Sequence, residues 1–194
     1  MSFAAKNFSS LLGMPGFSDT LLNNHFTLYQ GYVANTNKVM ELLAGMLAEG
    51  KQATPEFAEL KRRFGWEFNG MRLHELYFGN LGGGGDPGKA PDLVKKLAAQ
   101  WGSFDAWAAD FKATAAMRGI GWVILYQDLE SGAFCNQWVN EHDVGHLAGC
   151  NPALIIDVFE HAFITDYGLK RADYIQNFWK NVKWDVVEER LETA

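Results

Sequence analysis

Three histidines and one aspartate lie where their side chains could bind a metal ion. His25 and His74 fall on the apolar stripes of two long helical patterns, so both side chains are expected to face inward. Asp157 ends an apolar, strand-like run, where an ionised carboxylate is costly unless it is paired or bound to a cation. His161 follows four residues later, close enough for both side chains to reach one centre. If the four converge, three imidazoles and one carboxylate suit iron, manganese or zinc.

Each of these residues also has an ordinary structural interpretation. A histidine on an apolar helix face is usually a satisfied core residue, and an Asp–His pair can simply form a buried hydrogen bond. Two histidines on facing helices favour the metal interpretation, because paired helices commonly build metal sites from inward-facing side chains. One carboxylate leaves most of the metal charge uncancelled, which favours an anionic substrate or a bound hydroxide at an open position.

Two long helices must position the first two histidines. Phe17-Ser18-Asp19 offers an N-cap, and apolar residues then recur at three- and four-residue steps as far as residue 46. The second helix begins at Thr54-Pro55, because threonine is a good cap and proline is tolerated in the first turn, and it runs to about residue 81. An antiparallel helical hairpin is the simplest arrangement of the two.

The remainder of the chain has a different pattern. Residues 82–88 predict a loop or inter-domain joint, since four glycines followed by Asp-Pro-Gly cannot continue a helix. Helices are predicted at 91–101, 103–117, 174–182 and 185–191, and strands at 121–126, 133–139 and 153–159. The predicted fold class is α+β, with an N-terminal two-helix antiparallel hairpin domain at residues 1–85. An α/β domain at residues 86–194 follows, with a small three-stranded antiparallel sheet flanked by helices.

Composition excludes several classes of protein. The formal net charge of −6 argues against a nucleic-acid binder, which normally has a basic face. No segment approaches the roughly 20 unbroken apolar residues that a membrane span needs, and the N-terminus has no secretory pattern. Cys135 and Cys150 are too few for a disulfide scaffold. We therefore expect a soluble, cytoplasmic, globular protein.

The segment around Asp157 is similar to a known signature. Asp157-Val158-Phe159-Glu160-His161-Ala162-Phe163 resembles the Asp-Val-Trp-Glu-His-Ala-Tyr sequence of the iron/manganese superoxide dismutases. Further matches occur in order along the chain from about Phe17: His25 with residues 32–37, residues 74–78, 102–104 and 119–122, Tyr167 with Arg171, and residues 178–179 and 182–184. Nearly the whole chain thus resembles this family.

The resemblance implies an antioxidant oxidoreductase with one iron or manganese ion per subunit, held by His25, His74, Asp157 and His161. Two superoxide anions would become oxygen and hydrogen peroxide as the metal cycles between +3 and +2. It also implies a homodimer formed through the metal-site face. There Glu160 would reach across to the partner's His161, a contact of the kind that fixes the orientation of a metal ligand.

The resemblance also assigns roles around the metal. Tyr32 would be the gateway tyrosine above the open coordination position, with Trp122 and Phe159 forming an apolar wall that excludes water. His142 would donate a hydrogen bond to the metal-bound solvent, from the hairpin before Asp157. The small Gly70 would leave room for the His142 side chain. No additional cofactor-binding residues are predicted.

The chain departs from the family pattern at several positions. Seven residues separate His25 from Tyr32, one fewer than usual, although at about 100° per residue both can still face one site. A histidine–tyrosine pair common in the family is replaced by Leu28 or Tyr29 and by Ile164, which leaves the supply of protons open.

Two further residues and several alternatives remain undecided. Arg72 could attract superoxide or be a surface charge, and His146 is interpreted as a surface residue. Iron, manganese or both could be the metal, and the assembly could be a dimer or a tetramer. The main alternative is a family member with altered or lost activity that serves as a metal-binding or structural protein. A zinc hydrolase that uses the same ligands is another.

Overall fold

Two long helices form the N-terminal part of the computed structural model, which describes residues 2–192. Helix α1 spans Asp19–Ala48 and begins where the Ser18 side chain accepts a hydrogen bond from the backbone of Leu21. Helix α2 spans Pro55–Gly79 and is capped in the same way by Thr54, with proline at its first position. Both predicted caps are confirmed, and each satisfies a backbone N–H that has no partner within the helix.

The two helices run antiparallel. His25 near the start of α1 lies beside His74 near the end of α2, with ring centroids 5.0 Å apart. At the other end of the pair, Val39 and Leu43 of α1 cluster with Phe57 of α2. The first part of α1 therefore packs against the last part of α2, and the last part of α1 against the first part of α2, as expected for an antiparallel hairpin.

The C-terminal part combines short helices with one sheet. Its helices are α3 (Pro91–Trp101), α4 (Phe104–Ala115), α5 (Ile164–Tyr167), α6 (Arg171–Trp179) and α7 (Trp184–Glu192). Its strands are β1 (Gly121–Asp128), β2 (Phe134–Asn140) and β3 (Cys150–Asp157), in the order β2-β1-β3 with both pairings antiparallel. The predicted α+β fold with a three-stranded antiparallel sheet flanked by helices is confirmed.

The third strand lies earlier in the chain than predicted. It begins at Cys150 and ends at Asp157, where the last register pair joins Trp122 to Asp157. Phe159, predicted as the last strand residue, instead lies outside β3 and directly precedes a 3-10 turn at Glu160–Ala162. This early end leaves Asp157 at the edge of the sheet, beside Trp122 of the central strand.

The glycine-rich loop packs against the C-terminal segment. The backbone N–H groups of Gly83 and Gly85 donate to the carbonyls of Asn181 and Val182, at 3.0 and 3.1 Å. A Cβ at Gly83 would lie 2.2 Å from the Lys183 Cα, so only glycine permits this approach. The division at residues 1–85 and 86–194 stays a prediction, and Met1, Thr193 and Ala194 lie outside the described residues. No helix within residues 2–192 is long and apolar enough to cross a bilayer.

Candidate metal centre

The four predicted ligands come together where the helical hairpin meets the sheet. His25 projects from α1, His74 from α2, Asp157 from the end of β3, and His161 from the 3-10 turn that follows. One possible ligand atom from each lies within 4.8 Å of all the others. His25, His74 and Asp157 are fully or almost fully buried, and the His161 side chain keeps 29% of its surface exposed.

The three imidazoles point the same kind of nitrogen at one carboxylate oxygen. The Nε2 atoms of His25 and His161 each lie 3.2 Å from Asp157 Oδ2, and His74 Nε2 lies 3.6 Å from it. The other carboxylate oxygen, Oδ1, accepts a hydrogen bond from the backbone N–H of Phe159 at 2.8 Å. This second bond holds the carboxylate so that Oδ2 faces the histidines.

The backbone of α2 determines which nitrogen of His74 faces the centre. His74 Nδ1 lies 2.5 Å from the carbonyl oxygen of Gly70, one turn earlier. A carbonyl only accepts, so Nδ1 carries the proton and Nε2 is left with a free lone pair. That buried Nε2 has no hydrogen-bond partner among the described residues. An unpartnered buried acceptor is unfavourable, and a cation would satisfy it.

Burial keeps the imidazoles of His25 and His74 neutral, and neighbouring histidines keep the Asp157 carboxylate ionised. Burial lowers the pKa of His25 and lowers that of His74 still further. Burial alone would raise the pKa of Asp157, but the neighbouring His161 and His25 rings hold it well below its usual range. The group therefore presents the neutral imidazoles of His25 and His74 and one anionic oxygen, from Asp157, at neutral pH.

These donors fit a single transition-metal ion. Atoms bound at about 2.1 Å from one ion, at angles of 90–120°, lie roughly 3.0–3.6 Å apart. The separations of 3.2 to 3.6 Å between Asp157 Oδ2 and the three Nε2 atoms agree with that geometry. Imidazole with one carboxylate suits iron, manganese or zinc better than calcium, which prefers six or more oxygen ligands.

A chain of hydrogen bonds lies beside this cluster. Trp122 Nε1–H donates to His142 Nδ1 at 3.0 Å, and His142 Nε2 lies 2.7 Å from the Tyr32 hydroxyl oxygen. The indole N–H can only donate, so Nδ1 of His142 must be the acceptor. Burial lowers the pKa of His142 to about 4, so the ring is neutral and carries its proton on Nε2. Nε2–H therefore donates to Tyr32.

Known proteins resemble this chain in sequence. Residues 89–190 match the family model described as "Iron/manganese superoxide dismutases, C-terminal domain". The "Superoxide dismutase [Fe]" of Aquifex pyrophilus is 41% identical over 188 residues, which cover 93% of this chain and 87% of that protein. The chain belongs to the iron/manganese superoxide dismutase family. The "Superoxide dismutase [Mn] 2" of Haloferax volcanii is 36% identical over 93% of this chain and 89% of its own length, so relatives carry both metals in their names.

The seven-residue step from His25 to Tyr32 is accommodated by an α1 helix that continues unbroken from Asp19 to Ala48. Seven residues of a regular helix bring the second side chain within about 20° of the first. The Tyr32 ring accordingly stacks on His74, with centroids 5.2 Å apart and planes inclined at 27°. With one residue fewer than the family usually has, Tyr32 therefore still lies against His74 of the candidate metal site.

Aromatic rings close the site on the side of His142. The Phe159 ring stacks on those of His142 and His161, with centroid-to-centroid distances of 4.8 and 5.1 Å. Trp122 meets His74 edge-on at 5.0 Å. The sequence analysis did not select Trp66, whose ring packs edge-on against His142 at 4.8 Å. Its position eight residues before His74, on the same side of α2, was the available signal.

His146 is not the surface residue that we predicted. It is half-buried, and its Nδ1 lies 2.6 Å from the Tyr126 hydroxyl while Nε2 lies 2.9 Å from the carbonyl oxygen of His142. Since a carbonyl only accepts, Nε2 carries the proton and Tyr126 donates to Nδ1. His146 therefore ties the loop that carries His142 to the central strand.

The residues that depart from the family pattern do not form a common hydrogen-bonded pair. Tyr29 is buried and its hydroxyl donates to Glu75 at 3.0 Å, so the side chain is satisfied away from residue 164. Leu28 is half-buried, and Ile164 is 45% exposed. Arg72 pairs with the buried carboxylate of Glu75 at 2.7 Å.

Gly70 allows Tyr32 to approach the α2 backbone. A Cβ at Gly70 would lie 2.5, 2.8 and 2.9 Å from three carbons of the Tyr32 ring, so this ring has the atoms nearest to the glycine. We predicted that the space would serve His142. The room beside Gly70 instead admits Tyr32, which in turn contacts His142.

Replacing Gly70 by alanine is expected to push Tyr32 out of place and to destabilise the protein by about 1–3 kcal/mol, the usual cost of overpacking. Gly65→Ala on the same helix is the matched control, because nothing lies within 4 Å of a Cβ there. That control should gain up to about 1 kcal/mol in helix propensity. Urea unfolding of both variants measures the difference, and equal stabilities would contradict the packing described.

Proposed function

We propose that superoxide is dismuted at the cluster of His25, His74, Asp157 and His161, with these residues as the metal ligands. Membership of the family makes the chain a superoxide dismutase with iron or manganese as its cofactor. The observation that carries the placement is the approach of three imidazole Nε2 atoms to Asp157 Oδ2 at 3.2 to 3.6 Å. When bound, the ion supplies one-electron chemistry by cycling between the +3 and +2 states.

The protein around the site would supply a proton. Formation of hydrogen peroxide from superoxide consumes two protons, so a donor is needed close to the bound anion. Burial, with the negative charges of Asp157 and Glu67, raises the pKa of Tyr32 to about 12, so its hydroxyl is protonated at neutral pH. Because His142 donates to the Tyr32 oxygen, the hydroxyl hydrogen of Tyr32 is free to point toward the substrate. Tyr32 and His142 are thus the proposed catalytic residues.

The aromatic residues would keep the site dry. Trp122 is fully buried and Phe159 is half-buried, and together they contact His74, His142 and His161. With less water nearby, charges and dipoles inside the site interact more strongly. Gly70 contributes by fixing the position of Tyr32.

A homodimer through the metal-site face is part of the proposal. Glu160 is exposed directly beside His161, whose side chain is still partly accessible, and the apolar Ile164 lies exposed one turn further on. A second copy would cover these residues and let Glu160 reach the partner's His161. The cytoplasmic location and the two-domain division at residue 85 are also proposed, the latter supported by the glycine-rich loop.

A zinc hydrolase at the same site is disfavoured. Such an enzyme needs a general base near the open position, and the sequence offers only His142 and Tyr32, of which Tyr32 keeps its proton at neutral pH because its pKa is raised to about 12. Both ring nitrogens of His142 are engaged, one by the Trp122 N–H and the other by Tyr32. No observation supports the family member with lost activity either, since all four ligand positions are present and converge.

Metal analysis and superoxide turnover of protein purified from its native host test the function. We expect iron or manganese near one ion per subunit and rapid consumption of superoxide generated by pulse radiolysis. Protein that contains zinc alone, or a full complement of iron or manganese without superoxide turnover, would contradict the proposal. Native protein is preferred because a recombinant host can insert the wrong metal.

A further inference from the structure

One cationic side chain is held beside Trp66, the ring that packs against His142. Arg63 lies on α2 and forms an ion pair with Glu67, in which its Nε and Nη2 atoms each lie 2.7 Å from Glu67 Oε1. Its guanidinium also lies over the Trp66 ring, 5.3 Å from the centroid. A planar guanidinium fixed by a carboxylate and an aromatic face loses much of its freedom to move.

The two members of this pair are buried to different extents. The Glu67 side chain is 3% exposed, whereas that of Arg63 is 54% exposed. An anion that approaches from solvent therefore meets the Arg63 guanidinium first, although solvent screens its charge. The buried Glu67 carboxylate lies behind the guanidinium. The outward face of the pair is therefore positive although its net charge is zero.

Arg63 is connected to the catalytic residues by direct contacts. Trp66, on which the guanidinium lies, packs edge-on against His142 at 4.8 Å, and His142 hydrogen-bonds to Tyr32. The guanidinium is thus connected to His142 through one ring, that of Trp66. The positive charge of Arg63 acts on both Tyr32 and His142.

A positive charge at this place favours the approach of an anionic substrate. The protein carries a formal net charge of −6, so superoxide approaches against an unfavourable average field. A fixed cation near the opening of a site can raise the association rate of an anion locally. Arg72, the other candidate, pairs with buried Glu75 in the same way, but it lies over the rings of Phe3 and Phe68, and no ring contact among the described residues joins those two rings to His142.

We propose that Arg63, held in place by Glu67 and Trp66, steers superoxide and similar small anions toward the metal site. This inference rests on the proposed function but concerns approach of the anion rather than its chemistry. Arg63 is a positioning residue in this scheme. It neither binds the metal nor transfers a proton.

The neighbouring Arg62 provides a matched control. It belongs to the same turn of α2, its side chain is 75% exposed, and it pairs with Glu59 at 3.1 Å. Arg63→Gln and Arg62→Gln therefore remove the same charge from adjacent positions. We expect the first to lower kcat/KM for superoxide about two- to fivefold at low salt, and the second to change it by less than about 1.5-fold.

Further variants distinguish an effect of the local charge on kcat/KM from effects of the net charge and of misfolding. Arg63→Gln with Glu67→Gln leaves the net charge unchanged and no buried carboxylate unpaired, yet should still lose the steering. The corresponding control is Arg62→Gln with Glu59→Gln. Arg63→Lys keeps the charge and should recover most of the rate. Because salt screens the local field of Arg63, the difference in kcat/KM between wild type and Arg63→Gln should shrink as ionic strength rises.

Equilibrium binding of azide supplies a readout other than turnover. Optical titration of the metal-containing proteins with azide should show two- to fivefold weaker affinity for both Arg63 variants that lack the charge, and no change for the Arg62 controls. Equal effects at positions 62 and 63, or an unchanged salt dependence in Arg63→Gln, would overturn the proposal. If the wild-type protein fails to consume superoxide, the proposed function falls, and the azide affinities still decide the role of Arg63.

Discussion

Replacing Asp157 by asparagine is expected to abolish both metal retention and superoxide turnover while leaving the fold intact. The substitution keeps the shape of the side chain and an oxygen that can accept from the Phe159 N–H, a bond of 2.8 Å in the native protein. It removes the only anionic donor among the four. Loss of a hydrogen-bond partner behind a metal ligand already costs roughly 10–100-fold in affinity, so loss of the charged ligand itself should cost well over 100-fold.

The measurement combines metal content with metal-dependent stability. Wild-type protein should unfold at a higher temperature in the presence of iron or manganese, because a ligand that binds only the native state stabilises it. Asp157→Asn should show neither the shift nor bound metal after dialysis. Glu130→Gln, which removes a negative charge from the exposed turn between β1 and β2, should behave as wild type. A variant that keeps a full metal complement would show that Asp157 is not a ligand.

Replacing His142 by alanine is expected to reduce turnover about tenfold to 100-fold and to destabilise the protein by several kcal/mol. His142 is fully buried and joins Trp122 to Tyr32 by hydrogen bonds of 3.0 and 2.7 Å. Its loss leaves the indole N–H of Trp122 without an acceptor, at about 1–3 kcal/mol, and leaves a cavity besides. Tyr32 loses the donor that orients its hydroxyl, and a positioned acid or base commonly contributes about 100-fold or more to a rate.

His142→Gln is the matched variant that distinguishes hydrogen bonding from mere bulk. Glutamine offers one acceptor for Trp122 and one donor for Tyr32, so it can replace both bonds. We expect it to recover most of the stability and a large part of the turnover. Stopped-flow turnover and urea unfolding of the two variants provide the comparison. A glutamine variant as impaired as the alanine variant would argue against the proton arrangement described.

Local sequence signals predicted most of the secondary structure. Ser18 and Thr54 mark the starts of α1 and α2 because their side chains satisfy backbone groups only one turn away. The glycine-rich segment and the hairpin turn before β2 are recognisable for the same reason, since backbone conformation at such positions depends on the residue itself. The end of β3 was predicted two residues too late, because strand ends depend on the partner strand, here the pairing of Trp122 with Asp157.

The surroundings of the site were harder to predict than its ligands. Trp66, Arg63 and His146 lie in unremarkable local patterns, and each acquires its importance from a residue far along the chain. Trp66 meets His142, and His146 meets Tyr126 and the His142 backbone. The spacing along α2 indicates which side of the helix Trp66 occupies, but its contact with His142, like the contacts of His146, depends on how the elements pack.

The sequence by itself determined the chemical types that this protein offers: three histidines and one aspartate on apolar faces, in an order that resembles one enzyme family. Spacing made each of them a candidate, because helical and strand periods decide which side chains point inward. Only the tertiary structure decided that His25, His74, Asp157 and His161 meet at one point, within 4.8 Å. The reason is physical: their convergence depends on the angle between the hairpin and the sheet, which is set by the packing of many apolar side chains at once.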